Sequence, residues 1–360
     1  MSARNAVGFA EVAMFSSRVV VVGASAGGIA SLIELVRQLP ADLPAAVLVV
    51  QHLAPHHPSD LPSILSRAGA LEAVHPVDGE TLRDGRIYVA PPDRHLLIED
   101  HHIAVKRGPK ENRFRPSVDA LFRSAAYTFG ERAIGVVLSG ALDDGTSGLW
   151  SIKRLGGVTI VQDPADAQFD SMPVSALEQV EIDHIVAAGA MGKLISALIA
   201  APAAQASDKS DDDVRKRLAL ETSISSNGDA FAKGVTDLGD YTPFTCPECE
   251  GVLIRVKEGR NVRFRCHTGH GLSREALLYG VVEKVEMRYW DVMRSLEEAA
   301  MLLEEMGHTL DTNGESRAAS RFRENAKKAA RESRQVRDLV LGDDALGGDT
   351  LLEDAARRRS

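Results

Sequence analysis

Apolar residues follow two different rhythms along this chain, and the rhythm changes near residue 200. Up to that point short continuous apolar runs at 19–22, 46–50, 134–138, 158–161 and 185–187 alternate with stretches spaced by threes and fours. A continuous run of four or five apolar residues suits a strand covered on both faces. Ile29, Leu32, Ile33 and Val36 share one helical face, as do Val118, Leu121, Phe122 and Ala125. The alternation predicts an α/β fold, a doubly wound and mostly parallel sheet with helices on both sides, over residues 18–200. Residues 74–105 depart from it. Their short alternating segments are broken by Asp-Gly at 78–79 and 84–85, which predicts a β-hairpin insertion.

Past residue 200 the strand–helix alternation stops. Alanines and serines, an aspartate run at 211–213 and a serine-rich stretch at 223–228 read as a linker over 201–240 with one short helix. Three cysteines mark a small module at 241–272. Leu278, Val282, Val285, Tyr289, Val292, Leu296, Ala299 and Leu303 then recur in steps of four and three. Ala319, Phe322, Ala326, Ala329, Ser333, Val336 and Val340 repeat the rhythm after Thr312-Asn313-Gly314. That pattern predicts a helical hairpin or coiled coil over 273–342, with a frayed tail at 343–360. Such a seam is first of all hydrophobic packing; it is also the kind of surface that joins two copies in a homodimer or docks a signalling partner.

Length and charge narrow the classes. The 360 residues allow two or three folded units, and a formal charge of −9 argues against general nucleic-acid binding. No apolar stretch is long enough to cross a bilayer, and Arg4 and Glu11 interrupt anything resembling a secretory leader. The expectation is a cytoplasmic protein with no membrane insertion. Three clustered cysteines do not make a disulfide framework but do suit a metal.

The candidate chemistry begins at Gly23-Ala24-Ser25-Ala26-Gly27, between an apolar run and a helical pattern. Glycines on both sides permit a sharp strand-to-helix turn that lifts a serine hydroxyl to the strand's carboxyl end. His52 follows the next run and Asp144 the run at 134–138. Singly, Ser25 reads equally well as a helix cap, His52 as a structural histidine and Asp144 as a turn residue. Jointly, at three strand ends, they form the set a serine hydrolase needs: a hydroxyl, an imidazole to take its proton, and a carboxylate to orient the imidazole. The order Ser, His, Asp differs from the Ser, acid, His order of lipase-like hydrolases. A dinucleotide-binding oxidoreductase is the competing reading of the glycines. It is disfavoured because the second strand ends in Gln51-His52, with no acid for a ribose, and no tyrosine is followed four residues later by lysine.

At Val-Gly-Ala-Ser25-Ala-Gly-Gly, Val-Gln-His52, Ala-Pro-Pro-Asp93-Arg-His95, Arg115-Pro-Ser-Val-Asp119, Leu-Ser-Gly-Ala-Leu-Asp-Asp144-Gly and Ser171-Met-Pro-Val-Ser-Ala-Leu177, residues 18–200 resemble the chemotaxis receptor methylesterases, CheB-type. The resemblance implies hydrolysis of glutamate γ-methyl esters on methyl-accepting chemotaxis receptors or similar methylated signalling proteins, releasing methanol without a catalytic cofactor, and deamidation of receptor glutamines. It implies Ser25 as nucleophile, His52 as base and then acid, and Asp144, the acid directly before the glycine, rather than Asp143, as the orienting carboxylate. The oxyanion hole would be the backbone N–H groups of Ala26 and Ala141. His95 and Arg115 would line the rim or serve as structural hydrogen-bonding groups. Ala26 and Ala141 stand where many members have threonine and methionine, which bears on rate and substrate choice. Seventeen residues before the domain are too few for the phosphorylatable receiver unit of the best-known members, so regulation is expected to differ.

Cys246-Pro-Glu-Cys249 and Cys266-His267-Thr-Gly-His270 have the two-knuckle spacing of a tetrahedral zinc site. The three cysteines and either His270 or His267 fill the shell; similar extensions in family members imply His270. Alternating residues at 252–256 and 262–264 predict ribbon strands between the knuckles. Four protein ligands leave no place for a reacting water, so the expected Zn²⁺ is structural. The alternative to an enzyme is a non-catalytic signalling adaptor acting through this extension.

Overall fold

Six consecutive buried residues, Val19–Ala24, form strand β1 at the centre of a seven-stranded sheet. The computed structural model describes residues 18–202 and 212–342. The expected tail at 343–360, the segment 1–17 and the stretch 203–211 of the expected linker lie outside the described residues. The strands are β2 (Ala46–Gln51), β3 (Glu72–Val74), β4 (Arg86–Val89), β5 (His95–Glu99), β6 (His102–Lys106), β7 (Ala133–Val137), β8 (Val158–Gln162) and β9 (His184–Val186). The sheet order is β3-β4-β2-β1-β7-β8-β9, and every adjacent pair is parallel. Parallel neighbours require crossovers, and helices in them are α1 (Gly28–Val36), α2 (Leu61–Ala68), α3 (Val118–Phe129), α4 (Thr146–Arg154) and α5 (Ser171–Gln179), with α6 (Ala188–Ala200) following the last strand.

The pleat of β1 divides its valines between two cores. Val20 and Val22 pack with Leu32 and Leu35 of α1, Leu65 of α2 and Ile195 of α6. Val19 and Val21 pack with Phe122 of α3, Leu149 of α4 and Ala176 of α5. Helices thus cover both faces, the doubly wound arrangement expected from the apolar runs. The expected hairpin insertion is narrower than 74–105. Only β5 and β6 form an antiparallel pair, while β4 joins the main sheet beside β2. Three apolar residues, Ile87, Tyr88 and Val89, fit a strand buried on both faces better than a hairpin arm.

The chain leaves β1 for β2 on one side and later lays β7 on the other. This opens a crevice at the carboxyl ends of the three central strands, where ligands bind in open α/β sheets.

The interval expected as linker contains α7 (Asp212–Asn227), with Leu218, Glu221, Ile224 and Ser225 buried. Its serines hide the helix from a composition reading, because Ser225 turns inward and donates to Glu221 O at 2.9 Å. Beyond it, β10 (Asp240–Thr245), β11 (Val252–Glu258), β12 (Asn261–Cys266) and β13 (Gly271–Ser273) form an antiparallel ribbon in that order. Ile224 and Ile254 share one cluster, so α7 seats the ribbon.

The chain divides into two compact units after Ala276. In the second, the long part of α8 (Arg274–Thr312) and α9 (Ser316–Leu341) run antiparallel, with Glu297 accepting from Arg337 at 2.6 Å and Asp311 from Arg323 at 2.7 Å. Ala319, Ala326 and Ala329 are buried in it. On α8 the seam steps from Tyr289 to Met293 rather than Val292, which is 48% exposed. No helix among the described residues is long and apolar enough to cross a membrane.

Candidate functional site

Ser25 follows β1 directly and is held from three sides. Its N–H donates to Ser139 O at 3.0 Å, Ser139 Oγ donates to Ala26 O at 2.8 Å, and Gln51 Nε2 donates to Ser25 O at 2.7 Å. The turn into α1 passes through Gly27 at φ 71°, a conformation that a side chain would strain and that places a Cβ 2.8 Å from Ser139 Oγ. His52 follows β2, its N–H donating to Ala24 O at 3.1 Å. The loop after β7 brings Asp144 round through Leu142, which is held at φ 63°. Three adjacent strand ends therefore present a hydroxyl, an imidazole and a carboxylate to one crevice.

The structure brings all three together. Ser25 Oγ lies 3.2 Å from His52 Nδ1, and His52 Nε2 lies 2.9 Å from Asp144 Oδ2. An ionised carboxylate only accepts, so Nε2 carries the proton and Nδ1 is left to accept from the serine hydroxyl. Phe114 stacks on the imidazole with centroids 3.9 Å apart.

Asp144 is buried and accepts five hydrogen bonds. Oδ2 takes those of His52 and of Val118 N–H (2.7 Å); Oδ1 takes Asn112 Nδ2 (2.9 Å), Ser117 Oγ (3.0 Å) and Asp119 N–H (3.1 Å). Burial alone would raise its pKa, but the His52 bond and these donors hold it below the ordinary value. Two of the donors are the first N–H groups of α3, so Asp144 also caps that helix from another loop. Asp119 of α3 returns the arrangement. Its Oδ1 accepts from Gly145 N–H at 3.0 Å and Gly148 N–H at 2.7 Å at the start of α4. Burial and then the charge of Asp144 push Asp119 up to about 7.

Asp143 points elsewhere: its Oδ1 accepts from Ser273 Oγ at 2.7 Å, and burial with the nearby Glu275 pushes its pKa well up. His95 is fully buried instead of lining a rim; its Nε2 donates to Pro109 O at 2.8 Å and burial lowers its pKa. Arg115 does border the cleft, paired to Asp93 at 2.6 Å and donating to Gly108 O at 2.6 Å. That cleft, about 430 Å³, exposes Ser25 and His52 beside Lys110, Arg113 and Phe114. Among the described residues, the N–H groups of Ala26 and Ala141 have no partner in the hydrogen-bond network.

Asn112, Phe114, Asp119 and Gln51 shape the site and were not singled out by sequence as site residues. Gln51 and Asp119 stand inside the segments that carry the family resemblance, which is their one sequence signal; Asn112, held at φ 48°, and Phe114 have none.

At the ribbon's end Cys246, Cys249, Cys266 and His270 present ligand atoms that all lie within 4.8 Å of one another. Cys249 Sγ is 3.6 Å from Cys266 Sγ, and His270 Nδ1 is 3.6 Å from Cys266 Sγ and 3.8 Å from Cys246 Sγ. Zn–S bonds of about 2.3 Å set tetrahedral sulfurs about 3.8 Å apart, so the residues fit that ion. His267 lies against Gly251 instead.

A family model described as CheB methylesterase matches residues 20–195. A Leptospira interrogans protein, described provisionally as a protein-glutamate methylesterase/protein-glutamine glutaminase, is 36% identical over 168 residues, 46% of this chain and 87% of that one. Proteins described as protein-glutamate methylesterase/protein-glutamine glutaminase 2 in Rhizobium johnstonii and 5 in Anaeromyxobacter dehalogenans are 36% and 40% identical. The matches cover 49% and 48% of this chain and the same shares of those proteins. The crystal structure of the Thermotoga maritima CheB methylesterase catalytic domain is 31% identical with a TM-score of 0.49, covering 50% of this chain and 98% of that one.

Proposed function

This chain belongs to the CheB methylesterase family, and from that premise we propose that it is a carboxylic ester hydrolase that removes methyl groups from glutamate γ-methyl esters of methylated signalling proteins, chemotaxis receptors foremost. Glutamine side chains in the same receptors are the second substrate, with ammonia in place of methanol. The observation that carries the reading is the relay from Ser25 Oγ through His52 (3.2 Å) to Asp144 (2.9 Å), opening on a cleft at the sheet's carboxyl edge.

Ser25 Oγ attacks the ester carbonyl carbon while its proton passes to His52 Nδ1. The N–H groups of Ala26 and Ala141 donate hydrogen bonds to the developing oxyanion. Collapse of the adduct breaks the bond to the methoxy oxygen, the imidazolium gives that oxygen its proton, and methanol departs. Water then attacks the glutamyl ester on Ser25, losing a proton to His52; the bond to Oγ breaks and the serine recovers its proton. Asp144 stays ionised throughout and stabilises the imidazolium, in keeping with the five donors that hold its charge. No cofactor takes part in these steps.

In the ribbon, Cys246, Cys249, Cys266 and His270 hold a Zn²⁺ that ties the two knuckles together, a structural role because the shell is complete.

Methanol release from methylated receptor fragments tests the reading. Ser25→Ala is expected to fold normally and release none. Retained release by that variant would overturn Ser25 as the nucleophile, whereas no release by the unaltered chain would leave the adaptor reading, in which the extension acts by binding.

A further inference from the structure

The cysteine-bearing ribbon reaches into the candidate active site. Cys266 and His270 close a tight loop, with Cys266 N–H donating to His270 O at 3.1 Å. The next residue, Gly271, pairs with the wall of the cleft. Its N–H donates to Lys110 O at 3.2 Å and its O accepts from Asn112 N–H at 2.8 Å, a parallel bridge to Glu111. Residues 110–112 are in effect a further strand of the ribbon. The same segment folds back at once, Glu111 and Phe114 exchanging backbone bonds of 3.1 and 2.9 Å.

Its side chains then act on the relay. Asn112 Nδ2 donates to Asp144 Oδ1 and to Asp119 Oδ2, both at 2.9 Å, while Asn112 Oδ1 accepts from Ser273 N–H of β13 at 2.8 Å. Phe114 covers His52. Ser273 Oγ holds Asp143 beside the acid. Beneath the segment, Glu111 is clasped by Arg123 of α3 and by Arg265 of β12. Glu221 of α7 and Glu258 of β11 complete the set with Arg263. Three guanidinium groups and three carboxylates, all fully or almost fully buried, thus join ribbon, α7 and hydrolase sheet. A buried charge left without its partner is strongly unfavourable, so the ribbon does not detach without cost to the sheet.

We propose that Asn112 is a positioning residue for Asp144, and that the metal-ordered ribbon holds Asn112 in place through Gly271 and Ser273, making ester hydrolysis conditional on the filled Cys246, Cys249, Cys266 and His270 site. The proposal rests on the relay assigned above. Its path is short: metal ligand His270, Gly271, the 110–112 strand, Asp144. Loss of the ion frees the knuckle that ends at Gly271 and slackens the carboxylate without any change to Ser25, His52 or Asp144.

The test uses the full chain in its zinc-loaded, chelated and zinc-restored forms, together with Asn112→Ala. Each is measured for zinc content, for kcat and KM of methanol release from a γ-methyl glutamate peptide, and for the low-field proton NMR signal of the His52–Asp144 hydrogen bond. Asn112→Ala is expected to keep its zinc and its KM within twofold, lose kcat at least tenfold and lose the low-field signal. Chelation is expected to reproduce both losses and added Zn²⁺ to reverse them. Zinc-free protein that keeps its signal and its kcat overturns the proposal. So does zinc-loaded Asn112→Ala that keeps both. If Asn112→Ala does not fold, the chelation and restoration arm decides. Ser25→Ala, run alongside, separates the two ideas: hydrolysis there at the rate of the unaltered chain overturns the Ser25 relay, while the proton signal still reads the link from ribbon to acid.

Discussion

Phe114 lies flat against His52, their ring centroids 3.9 Å apart and their planes 9° from parallel. An imidazole between a serine and an aspartate must keep one plane to reach both, and hydrogen bonds at its two nitrogens leave rotation about the line joining them open. The phenyl face closes that freedom. Phe114 is itself fixed by the two backbone bonds it exchanges with Glu111.

Phe114→Leu should therefore lower kcat while the fold and KM change little. A relay displaced by a fraction of an ångström to 1 Å loses roughly tenfold to a hundredfold in rate. Phe114→Tyr, which keeps the ring, should recover most of it. Steady-state methanol release by the two variants checks the claim, and equal rates would show that the ring does not position His52.

The two buried aspartates set opposite pH trends in stability. Asp144 is held below its ordinary value, so its bonds stabilise the fold above the normal aspartate range and that stabilisation is lost as pH falls through its folded pKa. Asp119, raised from 3.8 to about 7 by burial and by the charge of Asp144, works the other way. Between those values the folded protein holds a proton that the unfolded chain has released, so stability falls as pH rises through the interval and levels off above it. Asp119→Asn should flatten that fall and Asp144→Asn should weaken the acid-side loss. Denaturant midpoints measured across the interval check both signs.

The residues that sequence alone found are those whose position follows from local pattern. Ser25, His52 and Asp144 stand just past continuous apolar runs, and a run covered on both faces is a parallel strand whose carboxyl end faces the crevice. The cysteines announce themselves by spacing. Asn112 and Phe114 lie in a segment with no periodicity, and their roles exist only because Gly271 pairs with that segment from 160 residues away in a separate ribbon. The exchange of helix caps between Asp119 and Asp144 is equally tertiary, since each carboxylate serves the other's helix. Ser225 misled for a related reason: a serine-rich stretch signals solvent until a buried charge such as Glu111 is there to receive its hydroxyl. Strand β4 is hidden in the sequence because the two Asp-Gly turns that precede it are as compatible with a sheet connection as with a hairpin.

Gly140 shows how little room the acid loop has. A Cβ there would lie 2.0 Å from Met172 Sδ and 2.9 Å from Ser25 Cβ. Gly140→Ala should destabilise the protein by about 1–3 kcal/mol, the usual range for overpacking. Pairing it with Met172→Ala should recover stability beyond the sum of the two single effects, because the two residues compete for one volume. Activity should stay low in the pair, since the clash with Ser25 remains. Thermal or chemical unfolding gives the first result and methanol release the second.

Glu221 offers the sharpest contrast between buried and exposed charge. Its carboxylate is completely buried, with Arg263 and Arg265 each at 2.8 Å and Arg123 at 3.7 Å. Burial would raise its pKa, but these three guanidinium groups hold it far below the ordinary value. Glu221→Gln removes one negative charge and leaves Arg123, Arg263 and Arg265, with Arg217 at the cluster's edge, sharing Glu111 and Glu258, and breaking one partner out of such a cluster costs about 3–5 kcal/mol. Glu34 is the natural control: its pair with Arg37 is at 2.6 Å, yet both side chains are about half exposed (49% and 58%), and Glu34→Gln should cost less than about 1 kcal/mol. If the cluster joins ribbon to sheet, Glu221→Gln should also make chelation of the cysteine site easier, because a loosened ribbon holds its ligands less firmly. Unfolding midpoints and zinc-release rates of the two variants, measured together, test this. Equal behaviour would mean that the charge cluster does not hold the ribbon to the sheet.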